Sequence, residues 1–393
     1  MKKIILIIIF SLLLLPVKAQ WIQQNSGTTE NLNDVFAITA DTVVVVGNAG
    51  TILRTTDGGN NWQPIANATA NILHKVKFIN TTTGYIVGDN GTLLKTTDAG
   101  ETWQTINLNI TNNLYDISCP NDHTIYISGS NGLIKKSIDS GQNWTTIPSG
   151  VTDDIHFIAF EDNQTGFFVA ISSFYKTNDG GNNWLEILNM GGNCMEISQN
   201  IVYLGGFNNY FKSTNTGNSF NTHNINYVGV VNSIKKIDNV LWMTIYSTVI
   251  SSSGTYILKS IDNENNFTEC FLDAIFIHSS SFYNNSIGYA IGEYGVIYKN
   301  STGINTVTSS INNFENIFSI YPNPNKGIFN IKFDKNPSQN WQYQITNLQG
   351  QILMNDQQLI DRKIDASWLP AGVYLLNLQN DEKIFTQKII IQK

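Results

Sequence analysis

Two sets of side chains in this sequence have the types and spacing to do chemistry. The first is a series of carboxylates, each followed two residues later by glycine: "TTDGGNNW" from Thr55, "TTDAGETW" from Thr96, "SIDSGQNW" from Ser137 and "TNDGGNNW" from Thr177. Looser copies follow, "STNTGNSF" from Ser213 and "SIDNENNF" from Ser260. Repeated acids of this kind suggest metal binding or acid chemistry. The second set is Asn33, His74, Tyr115, His156, Asn232 and His278, each directly after a Leu, Ile or Val; it takes in three of the five histidines in the chain. Imidazole titrates near neutrality and ligates metals.

Spacing decides between these uses. Asp57, Asp98, Asp139, Asp179, Asn215 and Asp262 are separated by 41, 41, 40, 36 and 47 residues, and a period near forty means a solenoid or propeller. Ahead of each box lies an apolar, β-branched run with a Gly- or Asn-bearing turn, as in "TVVVVGNAGTILRT" and "GYIVGDNGTLLKT", which is strand and hairpin chemistry. The pattern predicts four strands per repeat, the layout of a propeller blade, with the box in the hairpin between the third strand and the fourth. There the Ser or Thr hydroxyl and the Asp carboxylate bond turn amides, the glycine takes a positive φ, and the aromatic buries itself against a neighbouring sheet. Thr55, Asp57, Gly59 and Trp62 read as one folding unit, repeated at Thr96, Asp98, Gly100 and Trp103, at Ser137, Asp139, Gly141 and Trp144, and at Thr177, Asp179, Gly181 and Trp184. The boxes are therefore structural, and the later units depart at Asn215, Glu264 and Thr302.

The register predicts how the ring closes. Trp62, Trp103, Trp144 and Phe220 each stand 11 residues before an inner-strand Leu, Ile or Val, and Trp21 stands as far before Leu32 with no box ahead of it. The last unit, residues 288–305, lacks its aromatic. "WIQQNSG" from Trp21 then supplies the outer strand of a seventh blade, which removes an exposed sheet edge. In that frame the second set of residues lines the channel at one mouth. They are a candidate ligand or water site on the axis; the residue types favour the alternative, that they satisfy backbone atoms between blades. No metal or cofactor is expected, since the histidines come from non-adjacent blades.

Composition narrows the classes further. The chain has 393 residues, 41% of them hydrophobic, and a net charge of −7 with no basic run, which argues against nucleic acid or an anionic membrane surface as partner. "MKKIILIIIFSLLLLPVKAQ" puts two lysines before an apolar run too short to span a bilayer, so residues 1–19 read as a secretory signal and no anchor is expected in the mature chain. Loss of Lys2, Lys3 and Lys18 takes the charge from −7 to −10. Cys119, Cys194 and Cys270 are too sparse for a disulfide scaffold.

The S/T-x-D-x-G-x-x-W boxes resemble the Asp-box, or BNR repeat, of sialidases, sortilin-type receptors and the photosystem II assembly and stability factor family, and residues 48–59 and 84–100 are most similar to the last. The resemblance covers residues 21–303 and implies boxes on the propeller periphery, away from any ligand. A sialidase clamps its substrate carboxylate with three arginines; this chain has only Arg54 and Arg362, so that activity is not expected. A glycan hydrolase of another kind needs two opposed carboxylates. Asp153, Asp154, Glu161, Asp162 and Glu293 are available, with nothing to select a pair.

After residue 303 the period stops, 304–316 reads as a polar linker, and short alternating strands from residue 317 predict a small β-sandwich. Tyr321, Pro322, Asn323, Pro324 and Gly327, then Leu369, Pro370, Ala371, Gly372, Val373 and Tyr374, and the terminal Lys388, resemble the type IX secretion system C-terminal sorting domain, type A. That resemblance implies export across the outer membrane, removal by a sortase, and a propeller released or attached at the cell surface. The reading is an all-β chain: signal 1–19, seven-bladed propeller 20–303, linker 304–316, sorting domain 317–393. Its expected role is binding or scaffolding of a protein or glycan through one face, with glycan hydrolysis by loop carboxylates as the competing class.

Overall fold

The computed structural model describes residues 21–66, 69–171, 173–189, 191–247, 254–273, 275–300, 318–323, 325–333, 341–346, 352–356, 359, 362–379 and 384–392. The signal segment 1–19, the linker 304–316, Thr302 and Pro324 lie outside them. Contacts divide the chain into two compact units, Met1–Thr308 and Ser309–Lys393.

Within the first unit, seven antiparallel sheets have four strands each. Blade 1 is Leu32–Ala37, Val43–Gly47, Ile52–Thr55 and Gln63–Pro64, counting from the innermost strand. Blades 2 to 6 repeat the order, with inner strands Leu73–Phe78, Leu114–Ser118, Ile155–Phe160, Cys194–Ser198 and Gly229–Ile237. Blade 7 takes Ile277–Phe282, Gly288–Gly292 and Ile297–Asn300 from the end of the unit and Trp21–Gln24 from its beginning, Trp21 pairing with Asn300 and Gln24 with Ile297. Each inner strand touches the next, and the seventh touches the first. The ring is closed.

Its core is divided among the joints between blades. Second strands such as Val43–Gly47 and Gly84–Gly88 are buried along their whole length, because both faces of a blade are covered and an apolar run replaces alternation. One apolar cluster fills each joint; Trp62 lies with Tyr289 and Ile291 of blade 7, and Trp144 with Tyr85 and Val87 of blade 2. The box aromatic thus packs on the preceding blade. Trp21 takes the same place for blade 7, meeting Trp242 of blade 6 edge to face at 6.0 Å.

The second unit is two sheets, one of Phe318–Tyr321, Ile328–Phe333 and Lys363–Asp365, the other of Ile352–Asp356, Gln342–Thr346, Gly372–Gln379 and Ile384–Ile391. Phe329, Ile331, Ile345, Ile364, Leu376 and Ile389 fill the space between them. Several residues on which the sorting-domain resemblance rests make defined contacts here. Asn323 Oδ1 accepts the Ile390 amide at 2.8 Å, the Asn325 amide donates to the Ile390 carbonyl at 2.9 Å, and the Tyr374 hydroxyl donates to the Pro370 carbonyl at 2.8 Å. Gly327 has φ of 96° and sits against the Ser367 backbone where a Cβ has no room. Pro322 precedes these contacts, Gly372 opens its strand, and Lys388 lies on the last strand opposite Leu375.

Candidate functional site

The boxes do in three dimensions what their residue types allow. In blade 1 the Thr55 hydroxyl donates to Asp57 Oδ1 at 2.8 Å and accepts the Gly59 amide at 2.9 Å, while the Asp57 carboxylate accepts the Asn61 amide at 2.9 Å and its side-chain amide at 2.7 Å. Those donors hold the carboxyl down to about 2, and the same holds for Asp98, Asp139 and Asp179. A carboxylate saturated by its own turn has little left for a ligand. Gly59 has φ of 87°, a conformation glycine takes without steric strain.

A second element of the joints, unremarked in the sequence reading, is the basic residue directly before each box. Arg54, Lys95, Lys136, Lys176 and Lys299 donate to a turn carbonyl in the following blade's box: Ala99, Ser140, Gly180, Thr216 and Gly58, at 2.9, 2.8, 2.9, 2.7 and 2.6 Å. Lys212 reaches blade 6, where Glu264 stands in the glycine position with φ of 71°. Its carboxylate replaces the carbonyl, bonding Lys212 Nζ at 2.9 and 3.0 Å and the hydroxyls of Tyr203 and Tyr210 at 2.8 and 3.0 Å. The signal was in the sequence as Arg or Lys before every Ser or Thr of a box.

The channel residues divide into two groups. All six stand at β-bulges, where the pairing of inner and second strand skips one residue: between Leu32 and Asp34, Leu73 and Lys75, Leu114 and Asp116, Ile155 and Phe157, Val231 and Ser233, and Ile277 and Ser279. A bulge frees one residue from the ladder and re-aims its side chain. Asn33, Asn232 and His278 turn to the next blade, bonding the carbonyls of Leu73, Ile277 and Leu32 at 2.9, 3.1 and 2.9 Å. Burial lowers the His278 pKa and favours the neutral ring. These three are stitches between blades.

His74, Tyr115 and His156 form a continuous array instead. The His74 and Tyr115 rings meet edge to face at 5.4 Å, and those of Tyr115 and His156 lie at 4.8 Å with a tilt of 34°. His74 Nε2 is 2.8 Å from Asp89 Oδ1, and the Tyr115 hydroxyl donates to Asp154 Oδ2 at 3.0 Å. Burial, then the Asp154 carboxylate, raises the Tyr115 pKa, so it stays a hydroxyl. His156 is exposed and the other two rings are half-buried. Beneath this mouth the Lys75 ammonium is 3.3 Å from Asp34, and Lys235 is 3.0 Å from Glu196. Burial alone would lower the Lys75 pKa, but Asp34, Asp116 and Glu196 outweigh it and push it up; burial raises that of Asp116. Asp34 also accepts from Val76 N and Ser279, and Asp116 from Ile158 N.

The loop acids divide between the two faces of the ring. Each sheet is a four-stranded meander, so turns between strands one and two share one face of the ring with the boxes, and turns between strands two and three share the other with the blade-to-blade connections. Glu161 and Asp162 are on the box face, where Glu161 accepts the Asn200 amide and Asp162 caps its own turn. Asp153, Asp154 and Glu293 are on the mouth face. Asp154 also accepts the Asn131 amide at 3.0 Å. None of the three cysteines forms a disulfide, and burial pushes the thiols of Cys119 and Cys194 up to about 12. Among the described residues, no group of three His, Cys, Asp or Glu could hold a metal ion.

Comparison with known proteins agrees with this architecture. The secretion system C-terminal sorting domain matches residues 319–392. The photosynthesis system II assembly factor YCF48 family matches residues 15–110 and 60–244, together more than half of the 393. No curated protein matches the sequence. Among solved structures, YCF48 bound to D1 peptide is similar with a TM-score of 0.59 and 18% identity, covering 73% of this chain and 98% of that one. YCF48 from Cyanidioschyzon merolae gives 0.59 and 15%, covering 71% and 98%. An extracellular domain from B. thetaiotaomicron gives 0.57 and 12% over 95% of this chain, which spans 59% of that one. At such identities these likenesses speak to the fold. The sorting domain marks the protein for export to the cell surface or beyond, and among the described residues no helix is long and apolar enough to cross a membrane. The family match extends over more than half of the sequence, and on that ground the chain belongs to the photosynthesis system II assembly factor YCF48 family.

Proposed function

We propose that this exported propeller is a binding module that docks a partner protein of the cell envelope on its mouth face. The observation that carries the reading is the His74–Tyr115–His156 array, three rings presented by bulges on successive blades and flanked by Asp89 and Asp154. Rigid aromatic rings with one polar edge are the side chains that anchor protein interfaces. A relative described as bound to a peptide supports a polypeptide ligand for this fold. Assembly of a photosystem does not transfer with it, because the sorting domain directs this chain out of the cell. In this reading residues 1–19 are the secretory signal, the type IX machinery exports the chain through residues 317–393, and a sortase then removes that module.

Glycan hydrolysis is the competing class; against it, Asp154 already accepts from the Tyr115 hydroxyl and the Asn131 amide, and Asp89 is paired with His74. The test is a pulldown of envelope fractions with the full-length protein and with Tyr115→Ala, run beside a glycan hydrolysis screen. Specific capture by the first and its loss with the second is expected. Turnover of a glycan, with capture equal for both proteins, would reverse the assignment.

A further inference from the structure

The binding reading leaves the partner's chemistry open, and the charges of the mouth face define it. Glu30, Asp89, Asp153, Asp154 and Glu293 stand in the loops around the mouth, and the described residues of those loops include no lysine or arginine. Most basic side chains nearest by are committed elsewhere: Lys75 and Lys235 sit below the mouth with Asp34 and Glu196, and Arg54, Lys95 and Lys136 of the third strands donate to the boxes on the far face, while Lys135 stands at the start of the third strand of blade 3, just beyond the mouth turn. Loops of a single sign over a low-dielectric ring focus a field that attracts cations and repels anions.

The apolar surface of the same face suits the same ligand. Tyr294, next to Glu293, is 74% exposed at the tip of its turn and has φ of 55°, where Asn90 and Asn131 stand in blades 2 and 3. The turn itself imposes that conformation, since blade 1 holds Ala49 there at φ of 52°. Tyr115 presents its ring between two imidazoles, with a carboxylate at each side of the array. Aromatic faces beside carboxylates hold an ammonium or guanidinium by cation–π and ionic attraction while its methylene stem covers the rings. Asp89 and Asp154 retain lone pairs beyond the bonds described, since a carboxylate offers about four acceptor sites. An uncharged sugar gains nothing from the single-signed field, and an acidic segment is repelled.

We propose that the mouth face takes a lysine- or arginine-rich segment of its partner, its cationic heads pairing with Asp89, Asp154 and Glu293 and its stems lying on Tyr115 and Tyr294. The full-length protein is titrated by fluorescence anisotropy with a labelled Lys-Gly repeat peptide, its Glu-Gly counterpart and a neutral Ser-Gly peptide. Two charge-matched variants accompany it: Asp89→Asn with Asp154→Asn and Glu293→Gln on the mouth face, and Asp41→Asn with Asp122→Asn and Glu101→Gln on the box face. The cationic peptide alone is expected to bind. Its affinity should fall about tenfold or more between ~20 and ~150 mM salt and by a similar factor in the mouth variant, with less than a twofold change in the box-face variant. Equal losses in both variants, or no binding of the cationic peptide at low salt, would overturn the assignment. Tyr115-dependent capture of an acidic or neutral protein would overturn it too, yet leave the binding role standing. If Tyr115→Ala captures envelope proteins as well as the unaltered chain, the binding role itself falls.

Discussion

Asn215 occupies the place that Asp57, Asp98, Asp139 and Asp179 hold in the earlier boxes, and it makes nearly the same bonds: its Oδ1 accepts from the Ser213 hydroxyl at 2.9 Å and from the Ser219 amide at 3.0 Å. An amide serves where the carboxylate serves, so charge is not what the turn needs; an acceptor is. Charge matters only through pH. The folded carboxyls sit at about 2 against an ordinary 3.8, so the folded state binds fewer protons in that range. Their contribution is complete above about pH 4 and is lost as pH falls through 2. Replacing Asp57, Asp98, Asp139 and Asp179 by Asn should therefore flatten the stability profile between those values, leaving stability near neutrality little changed; denaturant titrations at stepped pH measure this. At the mouth, Tyr115→Ala should abolish partner capture while the thermal midpoint moves by a few degrees at most, because the ring is half-exposed; calorimetry beside the pulldown separates the two effects.

At the scale of elements, the joint between blades is the unit of stability. Each joint combines an apolar cluster, an aromatic at the start of an outer strand and, at six of the seven, a third-strand cation that reaches into the next blade's box. Blade 6 tests this account. Glu264 breaks the box pattern and sits at a positive φ, yet its carboxylate satisfies Lys212, Tyr203 and Tyr210. Restoring glycine there should relieve backbone strain of about 1 kcal/mol and leave Lys212 the turn carbonyl that the cation takes in the other joints, but deprive the Tyr203 and Tyr210 hydroxyls of their acceptor, a net loss of about 1–2 kcal/mol. Chemical denaturation of Glu264→Gly measures the sign; a stabilised variant would refute the joint as described. Trp62→Ala, which empties the joint between blades 7 and 1, should cost about 3–5 kcal/mol by the same measurement.

For the whole molecule, closure depends on four residues from the other end of the propeller. Trp21–Gln24 pairs with Ile297–Asn300, and Trp21 fills the joint between blades 6 and 7 with Trp242 and Phe282. Removing Trp21–Gln24 should open that sheet edge and destabilise the ring cooperatively, with hydrogen-exchange protection lost first in Ile297–Asn300 and Val240–Ser247. Export is separable from folding, since the second unit has its own core. Deleting residues 317–393 should leave a folded propeller that never reaches the medium, detected by fractionation; propeller in the medium would remove the sorting role.

The period of the boxes, the β-branched runs and the 11-residue step from each aromatic to the next inner strand were legible in the sequence because every blade needs its own turn, core and rivet, and repetition exposes what repeats. Trp21 could be assigned to blade 7 on that register alone. The cations before the boxes were equally visible, but their acceptors lie in the next blade and no local pattern names them. The channel set was legible as a register, but its division was not. Asn33, Asn232 and His278 occupy the same register as His74, Tyr115 and His156, yet three stitch blades together and three present their rings to the mouth. Bulges, the neighbouring carbonyls and the two carboxylates at 89 and 154 made that division, and such contacts exist only once the ring has closed.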